Sequence, residues 1–295
     1  MTACSQQTGS ADKIVTDQLL SKEQYDHFRT FLEESCGIVL GDNKHYLVTS
    51  RLNRLTKEFS FSSLNAMIDA LRNKKDAVLK ERVIDAMTTN ETSWFRDLYP
   101  YDLLKENLLP ELLTNKVPRI RIWSAAASTG QEPYSISMSI QEYAMKNPGK
   151  LTVPHEIVGT DISSTVLDAA KKAVYDQMSL SRGISDERRK LFFNADDNNR
   201  FKLTDKVRAP VRFSELNLLQ SYTLLGKFDI IFCRNVLIYF SSDLKSDILS
   251  RMASALNPGG YLILGGSESP TGYTRAFDMV RYPKGVVYRL KSAQD

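Results

Sequence analysis

Apolar positions recur at helical spacing through the first third of the chain and as short strand-like runs after it, and that change of period divides the sequence. Tyr25, Phe28, Phe31 and Leu32 share one helical face, behind a capping box formed by Ser21 and Gln24, and Gly37 and Gly41 punctuate its end. Over 43–59, Val48, Leu52, Leu55 and Phe59 fall on one narrow stripe at about 100° per residue, with Lys44, Arg51, Arg54 and Lys57 on the adjoining arc. Leu64, Met67, Ile68 and Leu71 mark a third helix, and Leu79, Val83 and Met87 a fourth. Residues 18–88 therefore read as a small all-helical domain, behind a polar, unpatterned stretch over 1–17 expected to be a flexible tail.

Residues 89–100 break the helical pattern as a connector between domains, and unlike most linkers this one carries Trp94, Phe95 and Arg96. The plain account is that the two aromatics anchor it while Arg96 caps something. A Leu-rich helix follows (Leu103, Leu104, Leu108, Leu109), and then strands and helices alternate. Ile120–Trp123 reads as a buried strand and 124–130 as a loop of small residues. Pro133 suits the first turn of a helix that runs on to Tyr143. Glu156–Thr160 is a second strand ending in Asp161, placed to meet a ribose, to cap a helix over Val166–Val174, or to do both. Asp186–Phe193 reads as a short helix. Arg200–Leu203 and Val211–Phe213 suggest a small antiparallel insertion at about 190–214. Phe228–Cys233 is a clear buried strand, followed at once by Arg234 and Asn235, with Tyr239 four further on. A helix over Asp243–Leu256 should end in an Asn-Pro-Gly-Gly turn, before strands Tyr261–Leu264 and Val286–Leu290. The pattern from 101 to 295 is α/β: a Rossmann-like, doubly wound, mostly parallel sheet with an antiparallel last strand.

Composition adds limits. A formal charge of +4 over 295 residues is mild, and 25% charged residues is ordinary for a soluble protein. Cys4, Cys36 and Cys233 lack metal-ligand spacing and fit a reducing cytosol. No apolar run reaches the roughly 20 residues of a membrane span, so the protein reads as cytoplasmic. His27, His45 and His155 build no catalytic constellation, and no metal site is expected. The positive chemical signal is the small-residue loop between strand and helix. It allows close approach of a ligand to backbone and offers the free N–H groups of a helix start, but it lacks the three-glycine dinucleotide fingerprint.

Five blocks in order resemble one family. They are Thr-Asn-Glu-Thr-Ser-Trp-Phe-Arg-Asp (89–97), Trp-Ser-Ala-Ala-Ala-Ser-Thr-Gly-Gln-Glu-Pro-Tyr-Ser (123–135), Gly-Thr-Asp-Ile-Ser (159–163), Phe-Asp-Ile-Ile-Phe-Cys-Arg-Asn-Val-Leu-Ile-Tyr-Phe (228–240) and Leu-Asn-Pro-Gly-Gly-Tyr-Leu (256–262). Together they resemble the chemotaxis receptor methyltransferases, the CheR family. The resemblance implies transfer of a methyl group from S-adenosyl-L-methionine to glutamate side chains on the cytoplasmic helices of chemoreceptors, leaving S-adenosyl-L-homocysteine and a glutamate γ-methyl ester. It implies a cofactor site drawing on Asn90, Thr92, Arg96, Ala126, Gly130, Glu132, Asp161, Asn217, Leu218, Arg234 and Asn235. Glu132 would take the methionine ammonium group, Asp161 the ribose, and Arg96 with Tyr239 the reacting carboxylate.

The chemistry is consistent with that parts list. A glutamate, with a pKa of about 4.3, is already an anion at neutral pH, and the sulfonium is already activated. Positioning and exclusion of water are what remain for the protein. The resemblance also turns the basic arc of the second helix (Arg51, Arg54, Lys57) from a solvated face into a docking surface for an acidic receptor helix. It further implies recruitment to receptor arrays through the receptors. Some relatives grip a receptor C-terminal peptide with a longer, Gly-containing loop in the β insertion. Asn194–Asn199 is shorter and has no glycine, so independence of that tether is expected. Two alternatives stay open: a Rossmann-like methyltransferase acting on another substrate, and a cofactor-binding scaffold without catalysis.

Overall fold

The computed structural model describes residues 20–72 and 76–292, and the tail expected over 1–17 lies outside them. The chain divides into two units between Thr89 and Asn90. The first is four helices: α1 (Lys22–Cys36), α2 (His45–Glu58), α3 (Leu64–Arg72) and α4 (Ala77–Met87). Their apolar stripes meet in one core, where Tyr25, Phe28, Leu32, Val48, Leu52, Met67, Leu79 and Val83 are buried. Each such side chain contributes on the order of 1.5–3 kcal/mol. The capping box is only half formed: Ser21 Oγ accepts from Gln24 N at 3.1 Å, but the Gln24 side chain donates to Asp69 Oδ1 at 2.9 Å instead of returning to Ser21. Gly37 closes α1 in the left-handed conformation, φ 77°.

The second unit opens with α5 (Tyr99–Leu103), a π turn (Leu104–Leu108) and α6 (Leu109–Thr114) where one helix was expected. Pro110 lacks an N–H, so the regular ladder cannot run through this stretch, and Leu109 N–H reaches back to Leu104 O. Then come β1 (Ile120–Ala125), α7 (Gln131–Lys146), β2 (His155–Asp161), α8 (Ser164–Lys172), β3 (Val174–Asp176), α9 (Gln177–Ser181) and α10 (Asp186–Phe192). They are followed by β4 (Phe193–Asp196), β5 (Arg200–Leu203), α11 (Asp205–Arg208), β6 (Val211–Glu215), β7 (Phe228–Cys233), α12 (Ser242–Ala255), β8 (Leu256–Leu264), β9 (Phe277–Tyr282) and β10 (Gly285–Leu290).

The main sheet has seven strands in the order β6-β2-β1-β7-β8-β10-β9. The first five are mutually parallel, and β10 is antiparallel to both of its neighbours. Alternate strand residues feed two cores, Ile122, Ile230 and Ile263 on one face and Trp123, Ile231 and Leu262 on the other.

Four sequence expectations are corrected. Val211–Phe213 does not belong to the small insertion, because β6 pairs in parallel with β2 at the edge of the main sheet. Phe213 lies so close over Gly159 that a Cβ there would meet the ring at 2.8 Å. The small sheet is β3-β5-β4, so its first strand lies well before residue 190. The helix expected to reach Val174 ends at Lys172, where Ala173 turns left-handed at φ 54°, and its N-cap is Ser163 rather than Asp161. Asn257–Gly260 is no helix-ending turn. It bulges within β8, with Asn257 Nδ2 donating to Asp229 Oδ1 at 2.7 Å.

Candidate active site

The strands β1, β2, β7 and β8 end side by side at Ala125, Asp161, Cys233 and Leu264, at the edge of a parallel sheet where ligands bind. The loop after β1 is held by β2. Ala127 N donates to Thr160 O at 2.8 Å and Ser128 N to Asp161 Oδ2 at 2.8 Å, while Asp161 Oδ1 accepts from Ser163 N at 3.0 Å. Ala126 and Ser128 are both left-handed, φ 62° and 49°. Gly130, at φ 95°, is required by packing as well as by its turn: a Cβ would stand 3.0 Å from Ala170, Tyr134 and the Tyr175 hydroxyl. Ser128 Oγ donates to Asn90 O at 2.9 Å, which brings the expected connector residue onto the same loop.

A buried ion cluster lies across the strand ends. The Arg234 side chain is 1% exposed, with Nη1 3.2 Å from Glu132 Oε2 and Nη2 3.0 Å from Arg96 O and 2.5 Å from Asp97 Oδ2. Ser124 Oγ donates to Glu132 Oε1 at 2.8 Å. Burial pushes the Glu132 carboxyl above the ordinary range despite the opposing pull of Arg234. Burial acts to lower the Arg234 guanidinium, but Glu132, Tyr101 and Asp97 outweigh it and favour its charged form. Arg96 is half-buried, with Nη1 3.4 Å from Glu91 O, and its charge also acts on Glu132.

The connector is anchored as the plain account required. Trp94 and Phe95 are buried, and Trp94 stands edge-on to Tyr175 and Phe193. Trp94 N donates to Arg182 O, Phe95 N to Ser135 Oγ, and Glu91 pairs with Arg182. The Arg188 guanidinium lies 3.5 Å over the Phe95 ring while donating to Glu142 at 2.6 Å and 3.2 Å. What Arg96 presents to the site through its backbone is a carbonyl for Arg234.

Beyond β7, Asn235 is left-handed at φ 57°, and Leu237–Tyr239 form a 3-10 turn in which Tyr239 is half-buried. Asn217 Oδ1 accepts from Leu219 N at 3.0 Å, turning the chain after β6, and the adjacent Leu218 is buried. Thr92 is half-buried in the connector.

Residues 90–286 match the family model described as "CheR methyltransferase, SAM binding domain", and 23–88 match "CheR methyltransferase, all-alpha domain". The chain belongs to the CheR methyltransferase family. It is 53% identical over 272 residues to the chemotaxis protein methyltransferase of Vibrio anguillarum, covering 92% of this chain and 98% of that one. Chemotaxis protein methyltransferase 1 of Vibrio cholerae matches with the same identity and coverage. Chemotaxis protein methyltransferase 1 of Pseudomonas aeruginosa is 49% identical over 268 residues, covering 90% of this chain and 97% of that one.

As a CheR protein, the chain is an S-adenosylmethionine-dependent methyltransferase of chemotaxis. The residues at the strand ends fit that cofactor. Arg234 Nε and Asn235 Oδ1 are buried polar atoms with no protein partner, a donor and an acceptor at the place where a polar ligand would satisfy both. Among the described residues no His, Cys, Asp and Glu cluster has the makings of a metal site, and no helix is long and apolar enough to cross a membrane.

In the helical unit of this CheR chain, the three expected docking residues separate. Arg51 is turned inward, its guanidinium donating to Met87 O at 2.6 Å, Thr88 O at 3.1 Å and Thr89 Oγ1 at 3.0 Å, so it caps the C-terminus of α4. Arg54 and Lys57 are exposed. Glu268 carries no expectation from the sequence. It accepts from the backbone on both sides of the site, and nothing in its Gly-Gly-Ser-Glu surroundings marks it.

Proposed function

We propose that the chain esterifies glutamate side chains on the cytoplasmic helices of chemoreceptors, acting in the cytoplasm as a protein-glutamate O-methyltransferase. The observation that carries the reading is the buried Glu132–Arg234 pair at the strand ends, flanked by the two orphaned polar atoms, in a chain of this family. Bound S-adenosylmethionine supplies a methyl group on a positively charged sulfur. Glu132 offers its buried carboxylate to the ammonium end of that ligand, Asp161 accepts from the ribose, and Asn217 with Leu218 flank the adenine. Arg96 donates to the incoming glutamate, and the Tyr239 hydroxyl completes its orientation. With the cofactor bound, the incoming carboxylate would take the methyl and S-adenosylhomocysteine would leave as the second product. The substrate arrives as an anion, so no side chain has to remove a proton. Orientation of this kind is worth up to about 7–11 kcal/mol of barrier when the geometry is close to attack.

Arg54 and Lys57 form the docking charge for an acidic receptor helix, and Arg51 supports the fold behind them. Independence of a receptor tether peptide is supported by the turn between β4 and β5. Only residues 197–199 connect the strands, and Asn198 and Asn199 take the left-handed conformations, φ 59° and 55°, that a longer loop would give to glycine. The test is incubation of the purified chain with methyl-labelled cofactor and a receptor cytoplasmic fragment, with Arg96→Ala as control. Label should enter the fragment and leave as methanol in alkali. Label stable to alkali, or none despite binding of S-adenosylhomocysteine, overturns the reading. Low-micromolar affinity for a receptor C-terminal peptide overturns tether independence alone.

A further inference from the structure

We infer that Glu268 is a positioning residue that sets the two halves of the active site in register, an assignment that rests on the function proposed above. Strands β7 and β8 are paired at Cys233 and Leu264, and beyond those residues their backbones part. The Glu268 carboxylate stands in the fork. Its Oε2 accepts from Asn235 N at 2.6 Å and from Gly265 N at 2.8 Å, and its Oε1 accepts from Ile238 N at 3.3 Å. The turn that delivers it is closed by its own N–H, 2.9 Å from Gly265 O. One side chain therefore satisfies three backbone donors that the sheet leaves behind, and bonds to a charged acceptor are stronger than neutral ones.

Two of those donors set functional groups. Asn235 sits at φ 57°, in the left-handed region that residues other than glycine rarely adopt, and its surroundings hold it there. With its N–H held by Glu268, the side chain keeps its buried, unpartnered Oδ1 at the cofactor site. Ile238 N belongs to the 3-10 turn that carries Tyr239. Glu268 thus grips the turn between the cofactor residue and the residue assigned to the substrate carboxylate. Gly265 is part of the device, because a Cβ there would stand 2.7 Å from both Asn235 Nδ2 and Glu268 Oε2. No other residue fits without forcing apart the two groups the carboxylate holds together.

The test uses the full chain with Glu268→Ala, Glu268→Gln and Gly265→Ala, measuring S-adenosylhomocysteine affinity by calorimetry, then kcat and KM for methyl transfer to a receptor fragment. Glu268→Ala should weaken S-adenosylhomocysteine at least about tenfold and raise KM for the methyl donor while lowering kcat. Glu268→Gln retains an oxygen for Asn235 and Gly265 and loses the bond to Ile238. It should keep affinity within about threefold of wild type, yet still lower kcat through Tyr239. Gly265→Ala should reproduce the affinity loss of Glu268→Ala, and it carries the test should Glu268→Ala fail to fold. Affinity unchanged in Glu268→Ala or Gly265→Ala, or equal losses of affinity in the Ala and Gln variants, overturns the inference. The binding arm needs no receptor, so it stands even if wild type methylates nothing, a result that would instead sink the proposed function.

Discussion

Replacing Arg234 by methionine keeps most of its volume and removes the charge around which the site is assembled. The guanidinium is 3.2 Å from Glu132 and 2.5 Å from Asp97, and its side chain is 1% exposed. At an effective dielectric of about 20, the attraction to Glu132 alone is on the order of 5 kcal/mol, before desolvation is counted against it. Since the wild-type fold already bears the cost of burying both ions, removing one leaves the other uncompensated, and a loss of about 3–5 kcal/mol follows. In a protein of this size each kcal/mol lowers Tm by about 2–4 °C, so scanning calorimetry should show the methyltransferase unit melting roughly 6–20 °C lower. A second variant separates charge from packing. Adding Glu132→Gln to Arg234→Met removes the stranded carboxylate, so the double variant should recover about 0.5–3 kcal/mol relative to Arg234→Met alone. A Tm for Arg234→Met within about 2 °C of wild type, or a double variant no more stable than the single, would show that the pair contributes nothing of the kind.

Three further expectations come from neighbouring contacts. Because burial raises the Glu132 carboxyl, acidification should protonate it at a higher pH than an exposed carboxylate, and S-adenosylhomocysteine affinity should fall with it. In Glu132→Gln, affinity should be weaker and flat over the same range, and parallel pH curves for the two proteins would contradict this. Gly183 sits at φ 115°, and a Cβ there would lie 2.1 Å from Trp94 O, so Gly183→Ala should cost at least about 1–3 kcal/mol and shift the tryptophan fluorescence as the connector moves. Unchanged emission and urea midpoint would refute the anchoring. Burial alone would raise the Glu142 carboxyl, but Arg188 and Lys105 outweigh it and hold it below the ordinary range. A depressed carboxyl stabilises the fold above its unfolded pKa and loses that contribution as pH falls through the folded one. The urea midpoints of wild type and Glu142→Gln should therefore differ at neutral pH and converge in acid. A gap that stays constant with pH would count against the pairing.

What could be read in advance depended on whether a residue's role is set by its own segment. The run Phe228–Cys233 is apolar except for Asp229 and is buried at every position, so its place in the sheet centre follows largely from its own composition, while Asp229 is satisfied by Arg121 N and Asn257. Val211–Glu215 alternates, and alternation looks the same at the edge of a large sheet as in a small one. What decides is its pairing with β2, some fifty residues earlier. Arg51, Arg54 and Lys57 share a helical arc, yet only Arg51 reaches the C-terminal carbonyls of α4, a fact of tertiary packing. The same holds for Gln24, whose spacing from Ser21 suits a capping box and whose amide finds Asp69 on another helix.

The candidate site could be named by resemblance and not by conformation, and the reason lies in its backbone. Among the described residues, the left-handed non-glycine positions include Phe95, Asp97 and Leu98 in the connector, Ala126 and Ser128 after β1, and Asn235 after β7. The connector reaches Arg234 through Arg96 O and Asp97, and the loop after β1 joins the connector through Ser128 and Asn90. Glycine would take such conformations at less cost, and turn-reading relies on finding it. A glycine would, however, surrender side chains this region relies on: Phe95 under Arg188, the Asp97 carboxylate on Arg234, the Ser128 hydroxyl on Asn90 and the buried Asn235 amide beyond β7. Three of these residues are held by bonds from elsewhere in the unit, Asp161 on Ser128, Ser135 on Phe95 and Glu268 on Asn235, against a strain of about 1–3 kcal/mol each. The strain and the bonds that impose it are two sides of one requirement, that functional side chains project from turns their own sequence does not favour. A chain that keeps the motif blocks except for Asp161 and Ser135, and also loses Glu268, should fold its sheet and fail to assemble its site.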